Sequence, residues 1–469
     1  MAPQPSLTCI ACGKEFEPYL TVRCSDCGGL LEYSYKTDYL KSVEFTGPLS
    51  LWRYRPVLPN IEHLVSLGEG GTPLHNSKRL GESIGLGNLY LKDESQNPTN
   101  SFRDRCASLV VSNAVDLGYD ALIAATAGNL GASLAAYSAK ADLRCNLLVP
   151  RVVDMGKLAQ MIAYDASIEE YGETVDEAVE HAEKLGRETG WYQATFELNP
   201  LAAEALKTVA FEVVEQIGVP DWVVVPMGSG GTVYAVWKGF KELEASGKTD
   251  SLPRLVGVQA KGCSPIVDAF QLKRKQPSEV IEASTRALAI CVKKPVYGEA
   301  ALAALKESSG IAVSVDDEDM IKTEKELAQL EGLFAEPASS ATVACLSMLL
   351  DRDVLAPSDK VVCLITSSGL KTTDILSTLD KRRKSLGLGY RLATKEKILR
   401  IIQGDRTYGY DIWKKMGKGM TLGAVYQHLT ELEERGLITS FVKGKRRYFE
   451  VTSRGLNILK ALDEMKSLL

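Results

Sequence analysis

Four cysteines near the start of the chain have the spacing of a metal site. Cys9-x-x-Cys12 and Cys24-x-x-Cys27 form two knuckles about a dozen residues apart, each with glycine close behind. Thiolates in this pattern suit tetrahedral Zn²⁺, and the glycines permit tight turns around the sulfurs. Four protein ligands close the site to substrate, so a structural zinc ribbon is expected over 1–34. Two disulfides, or a ribbon without metal, are the alternatives. A second chemical signal is Gly228-Ser229-Gly230-Gly231-Thr232, which follows an apolar strand and opens a helix. Backbone N–H groups of such a loop converge, and the helix N-terminus adds partial positive charge, so the loop suits a phosphate. Taken alone, such a loop is as often a simple turn. A third signal is basic: Lys443, Lys445, Arg446 and Arg447 cluster at the turn of a C-terminal hairpin, a composition suited to tracking nucleic-acid phosphates.

These residues need elements to hold them, and 469 residues imply more than one domain. Apolar runs alternate with amphipathic helical patterns: strands over 89–92, 121–125, 143–150, 222–226 and 360–366, and helices over 102–117, 130–140, 157–164, 173–189 and 201–217. That alternation predicts an α/β body with a mostly parallel sheet covered on both faces. No apolar run approaches the roughly 18 residues of a membrane span, and the N-terminus lacks a charged and then apolar leader. A cytoplasmic protein without membrane contact is expected. The net charge of −5 conceals an asymmetry. From residue 390 onward 16 Lys/Arg stand against 9 Asp/Glu, or +7, which leaves −12 for the rest. A basic tail on an acidic body signals a partner. The six cysteines outside the quartet, Cys106, Cys145, Cys263, Cys291, Cys345 and Cys363, sit among apolar neighbours and are expected as buried free thiols.

The stretch from Lys92 to Cys106, Lys-Asp-Glu-Ser-Gln-Asn-Pro-Thr-Asn-Ser-Phe-Arg-Asp-Arg-Cys, resembles the threonine synthase signature K-D-E-x-x-N-P-T-G-S-F-K-D-R. Gly68-Glu69-Gly70-Gly71-Thr72-Pro73-Leu74 is similar to that family's entrance motif, and the likeness runs over roughly residues 1–380. The resemblance implies the second fold type of pyridoxal-phosphate (PLP) enzymes, two open twisted sheets with covering helices. It also implies that the family's Schiff-base lysine, which shuttles protons at the substrate carbons, stands here as Arg103. A guanidinium stays protonated and cannot condense with an aldehyde. The family's glycine is Asn100. By the same resemblance Gly228, Ser229, Gly230, Gly231 and Thr232 hold the PLP phosphate, Asn129 faces the pyridine oxygen, and Thr366 faces the pyridine nitrogen. A pocket for non-covalent PLP is therefore expected.

The substrate side departs from the family. Its S-T-G-N-T reads Thr126-Ala127-Gly128-Asn129-Leu130, and its N-P-x-R-x-E-G-x-K-T reads Asn199-Pro200-Leu201-Ala202-Ala203-Glu204-Ala205-Leu206-Lys207-Thr208. Two threonine hydroxyls, an arginine and a glycine are lost from positions that the resemblance assigns to gripping or shaping the site of the substrate phosphate. Glu204, Lys207 and Thr208 remain, with helix surface and packing as their plain alternative. Lys92 and Lys207 could in principle replace the missing amine, but nothing in the sequence places either at the aldehyde.

The threonine-synthase-like body is expected over 35–380, followed by a basic linker over 381–392 and a further domain over 393–469. Helices over 394–403, 408–415 and 421–435, a hairpin over 438–451 and a last helix over 453–468 give the order of a winged helix-turn-helix. Tyr408-Gly409-Tyr410, Gly423-Ala424-Val425-Tyr426-Gln427-His428-Leu429 and Leu432-Glu433-Glu434-Arg435-Gly436-Leu437-Ile438 resemble the PadR-like regulators. Thr421, Tyr426 and Gln427 are expected to reach base edges, and Lys443, Lys445, Arg446 and Arg447 to meet phosphates. A protein-interaction or dimerisation module is the alternative. Together the motifs predict a pseudoenzyme linked to threonine biosynthesis that senses a small molecule (an amino acid, a phosphorylated amino acid or PLP). It would read duplex DNA as a homodimer and regulate transcription. The competing expectation is a PLP-dependent threonine synthase that converts O-phosphohomoserine to threonine and phosphate. A third is a body serving only as a dimerisation scaffold.

Overall fold

Short apolar runs become the strands of two sheets, one wholly and one mostly parallel. The valine-rich strand Trp222–Pro226 is buried along its whole length, as a strand covered on both faces must be. It lies inside a six-stranded sheet ordered Ile311–Val315, Arg254–Ala260, Trp222–Pro226, Lys360–Ile365, Asn88–Asp93, Leu74–Asn76. Every neighbouring pair is parallel except the Leu74–Asn76 edge. A second, all-parallel sheet runs Ser167–Glu170, Arg144–Val149, Ala121–Ala125, Tyr192–Gln193. This computed structural model describes residues 5–17, 23–372, 388–404, 407–417, 421–443 and 446–467. It divides into two units, Met1–Asp374 and Ile375–Leu469.

The helix Arg103–Asp116 packs on both Asn129–Lys140 and Pro200–Ile217, and all three are buried over most of their length. Pro200 opens its helix at the first turn, where its missing N–H costs nothing, and the Asn199 side chain caps the Leu201 N–H at 3.0 Å. Asn100, which replaces a family glycine, has φ 62°. Asparagine is among the few residues besides glycine that tolerate this left-handed conformation, so the substitution keeps the turn ahead of Arg103.

Between these helices lies a fully buried ionic node. Arg105 donates to Glu94 at 2.7 Å through both Nε and Nη2. It also donates to Glu212, at 2.6 and 2.9 Å. Lys92 reaches Glu212 at 2.7 Å and the Thr72 carbonyl at 2.8 Å. Burial would raise the Glu212 carboxyl, but the Arg105 and Lys92 charges overcome it and hold it at about 2. Glu204, Lys207 and Thr208 are likewise buried rather than on a helix surface. Lys207 pairs with Glu204 at 2.5 Å and Glu242 at 2.7 Å. The six scattered cysteines are free thiols, buried except for half-buried Cys291.

At the N-terminal end, antiparallel strands Ser6–Cys9, Glu15–Phe16 and Leu31–Ser34 form a ribbon. Glu32 on its last strand pairs with Lys238 of the body at 3.1 Å.

The second unit holds helices Leu388–Gly404, Gly409–Lys415, Leu422–Glu434 and Ser453–Ser467, and an antiparallel sheet ordered Thr407–Tyr408, Arg446–Val451, Ile438–Lys443. Ile398, Ile402, Ile412, Val425, Leu429 and Phe449 lie in its core. Its first helix starts at Leu388, inside the stretch expected as linker. The basic run Lys381-Arg382-Arg383-Lys384 lies outside the described residues. Among the described residues no helix is long and apolar enough to cross a membrane.

Candidate functional site

The carboxyl ends of three strands open on one cavity. Ala125, Pro226 and Thr366, each at or next to a strand end, line it, as expected for ligand sites in open parallel sheets. Gly228, Ser229, Gly230, Gly231 and Thr232 form one wall and lead into the helix Gly231–Ala245. No side chain caps that helix, so its first N–H groups remain free to meet an anion. Gly230 has φ +92°, and a Cβ on Gly231 would come within 2.2 Å of the Phe196 ring. The loop therefore requires glycine at both places.

Opposite stand Asn129 and Thr366. The Asn129 amide nitrogen donates to both Glu336 oxygens, at 3.0 and 3.1 Å, and its oxygen accepts from the Ser367 hydroxyl at 3.3 Å. Lys157 holds Glu336 in turn at 3.2 Å. The Thr366 hydroxyl meets that of Ser339 at 2.9 Å. The sequence-expected residues of the pocket thus converge, and Glu336 joins them. The glycine loop, the amide and the hydroxyl have the chemistry to suit a phosphorylated heteroaromatic cofactor.

Arg103 also lines the cavity. Its guanidinium lies 4.7 Å from the Phe102 ring centre and 4.1 Å from that of Phe196, within cation–π range of both. Its Nη1 is buried without a hydrogen-bond partner. Among the described residues no lysine lines the cavity. Lys92 and Lys207 are committed to their buried carboxylates. Lys371 donates to the Thr99 carbonyl at 2.8 Å, and burial lowers its ammonium to about 8. Leu130 and Ala127 line the cavity, whereas Ala202 and Ala205 are buried away from it. The Ala202 carbonyl accepts from the Cys106 thiol at 3.3 Å.

Glu197 lines the same cavity and escaped the sequence reading. Burial raises its carboxyl above the ordinary range, opposed by the Arg103 charge and by the Ser229 hydroxyl. The signal available was a lone acidic residue in the apolar run ahead of Asn199-Pro200.

In the ribbon, the Sγ atoms of Cys9, Cys12, Cys24 and Cys27 all lie within 4.8 Å of one another. Cys9–Cys27 is 3.5 Å and Cys12–Cys24 is 3.6 Å. Four sulfurs about 2.3 Å from a tetrahedral centre would be roughly 3.8 Å apart, so the cluster has the dimensions to hold one metal ion.

In the second unit, the helix Leu422–Glu434 buries Val425, Leu429 and Leu432 and leaves Tyr426 and Gln427 exposed. Thr421 is its N-cap, accepting from the Ala424 N–H at 3.2 Å, so its hydroxyl already serves the helix. Lys443 and Arg446 are exposed on the hairpin. Arg447 is partly committed within the unit, to Glu433 at 2.6 Å and Ser440 at 2.9 Å. Lys445 lies outside the described residues.

The fold and cavity are those of a PLP enzyme of the second fold type carrying a winged helix. The pyridoxal-phosphate dependent enzyme family matches residues 65–367, and the chain belongs to it. Residues 398–461 match the PadR-like family of transcriptional regulators. The chain is 39% identical over 376 residues to threonine synthase of Methanocaldococcus jannaschii, covering 78% of this chain and 93% of that one. It is 36% identical over 312 residues to threonine synthase of Mycobacterium tuberculosis, covering 66% and 84%. In fold alone it resembles a fungal L-serine ammonia-lyase from Rhizomucor miehei, with TM-score 0.58, 19% identity, and coverage of 69% of this chain and 99% of that one. The protein is a fusion of a threonine-synthase-like body with a PadR-like winged helix.

Proposed function

We propose that this fusion is a ligand-sensing transcriptional regulator whose threonine-synthase-like body no longer catalyses. The observation that carries this reading is Arg103, which lines the cavity where the family's lysine would stand, with no lysine among the described residues of the wall. PLP, when bound, supplies an electron sink for bonds at an amino-acid α-carbon. Gly228 to Thr232 would hold its phosphate, with Asn129 and Thr366 at the ring. Arg103 can bind an anion, but it cannot take up and return a proton near neutral pH. The cavity therefore keeps the recognition groups and lacks the lysine amine on which the family's chemistry runs.

The winged helix supplies the output. Tyr426 and Gln427 would read base edges in the major groove, and Lys443, Arg446 and the remaining wing cations would meet phosphates. Thr421 would contribute through its cap. A homodimer would present two such helices to a near-palindromic site. The cysteine quartet would hold one structural Zn²⁺ per chain, which metal analysis of the purified protein would return.

Fluorescence titration of full-length protein onto labelled duplex from upstream of its own gene tests the reading. Specific binding should shift when the ligand is added, because a sensor needs different affinities in two states. The pair Lys443→Gln and Arg446→Gln should flatten the salt dependence by roughly one to two units of log–log slope. Threonine formation from O-phosphohomoserine at an enzyme's rate, or DNA binding no stronger than on unrelated sequence, would overturn it.

A further inference from the structure

The cavity contains a cation and a carboxyl that the chain does not pair with each other. We propose that Arg103 and Glu197 form an amino-acid subsite, and that this pocket takes a zwitterionic α-amino acid with an aliphatic side chain rather than a phosphorylated one. The inference rests on the cavity being the ligand pocket of the reading above; it does not require DNA binding.

The geometry supports each part. The Phe102 and Phe196 rings hold the guanidinium, and Nη1 is buried with no partner of its own. A buried donor left unmade is costly, and a ligand carboxylate is the acceptor that matches a guanidinium, in bidentate geometry. Glu197 follows Phe196 directly and lines the same wall, close enough to feel the Arg103 charge and the Ser229 hydroxyl. Yet no ion pair joins it to Arg103 among the described residues. Burial disfavours its ionised form, and a ligand ammonium would restore that form.

The rest of the wall argues for an aliphatic side chain. Leu130, Val175, Leu288, Ile290 and Val292 line the cavity and offer no side-chain hydrogen-bond donor. A ligand phosphate beyond the one in the glycine cradle would meet these residues and the Glu197 carboxyl. With Arg103 taken up by the ligand carboxylate, it would lose hydration against an apolar wall and a carboxyl that repels it. An ammonium at Glu197 and a carboxylate at Arg103 leave a short alkyl group to cover the apolar wall.

Calorimetric titration of the full-length protein tests this. The probes are L-valine, L-isoleucine, isovalerate (which lacks the ammonium), isobutylamine (which lacks the carboxylate) and O-phospho-L-serine. One of the two amino acids should bind at least tenfold more tightly than the two singly charged analogues and the phosphorylated compound. Glu197→Gln should weaken amino-acid binding tenfold or more and leave isovalerate unchanged. Arg103→Gln should do the same and leave isobutylamine unchanged. Thermal midpoints without ligand report folding, and Glu197→Asp, which keeps the charge, should recover part of the affinity. Tighter binding of O-phospho-L-serine than of either amino acid would overturn the proposal. So would amino-acid binding that survives both substitutions, or no amino-acid binding at all. Loss of DNA response with amino-acid binding intact would count against the regulator reading alone.

Discussion

Arg103 and Arg105 stand two residues apart on one helix, in surroundings that differ in one respect: whether the chain itself supplies the counter-charge. Arg105 is wholly buried and answered by two carboxylates, Glu94 and Glu212, in near-ideal hydrogen-bond geometry. Arg103 lies on a cavity wall between two aromatic rings, with one nitrogen unanswered. A charge satisfied from within locks elements together, here the helices Arg103–Asp116 and Pro200–Ile217 and the turn after Asn88–Asp93. A charge with an unpaired donor on a cavity wall is arranged for something outside the chain. The four ribbon thiols follow the second pattern, since their sulfurs converge within 4.8 Å of one another.

Removing each arginine tests this contrast most directly. Arg105→Leu leaves Glu94 and Glu212 buried with Lys92 as the one remaining cation of the node. Breaking such a pair costs about 3–5 kcal/mol, and denaturant titration should show the body destabilised by that amount. Acid should attack the same node. The Glu212 carboxyl is held at about 2 in the folded chain against an ordinary 4.5. The unfolded chain therefore binds more protons as pH falls through this window, so the stabilisation is full above 4.5 and is lost as pH drops toward 2. In Arg105→Leu this acid dependence should shrink. A variant as stable as the parent would show that the node does not hold the helices.

A smaller effect is expected where the cavity wall is overfilled. Gly231→Ala would drive a methyl into the Phe196 ring, which flanks the Arg103 guanidinium. Overpacking of this kind costs about 1–3 kcal/mol. Thermal melting should show that loss together with weakened ligand binding. Arg103→Gln should have the smallest effect on stability, within about 1 kcal/mol by denaturant titration, because no salt bridge is broken. A loss as large as that of Arg105→Leu would mean that Arg103 is a structural residue, and the contrast would fail.

The elements themselves were largely legible. The strands expected over 121–125 and 222–226 match those observed, because a continuous apolar run between turn residues has few other places to go. Helix ends shifted: the helix expected over 421–435 spans Leu422–Glu434 with Thr421 as its cap, and the one expected from 394 begins at Leu388. For Lys207 the sequence leaves helix surface and packing both open; it is buried, and local spacing cannot reveal that Glu242 approaches from another helix.

The sequence by itself determined which chemical groups exist and which are missing: the four thiols at ligand spacing, a glycine loop before a helix, a basic wing, and a guanidinium where the resemblance implies an amine. These follow from residue type and short spacing, which covalent geometry fixes locally. Only the tertiary structure decided which groups meet. Asn129 finds Glu336 across 207 residues, Arg105 finds Glu212 across 107, and Arg103 stacks on Phe196 far along the chain. Those distances close only when two sheets and their covering helices pack. The same packing places Glu197 on the wall of that cavity.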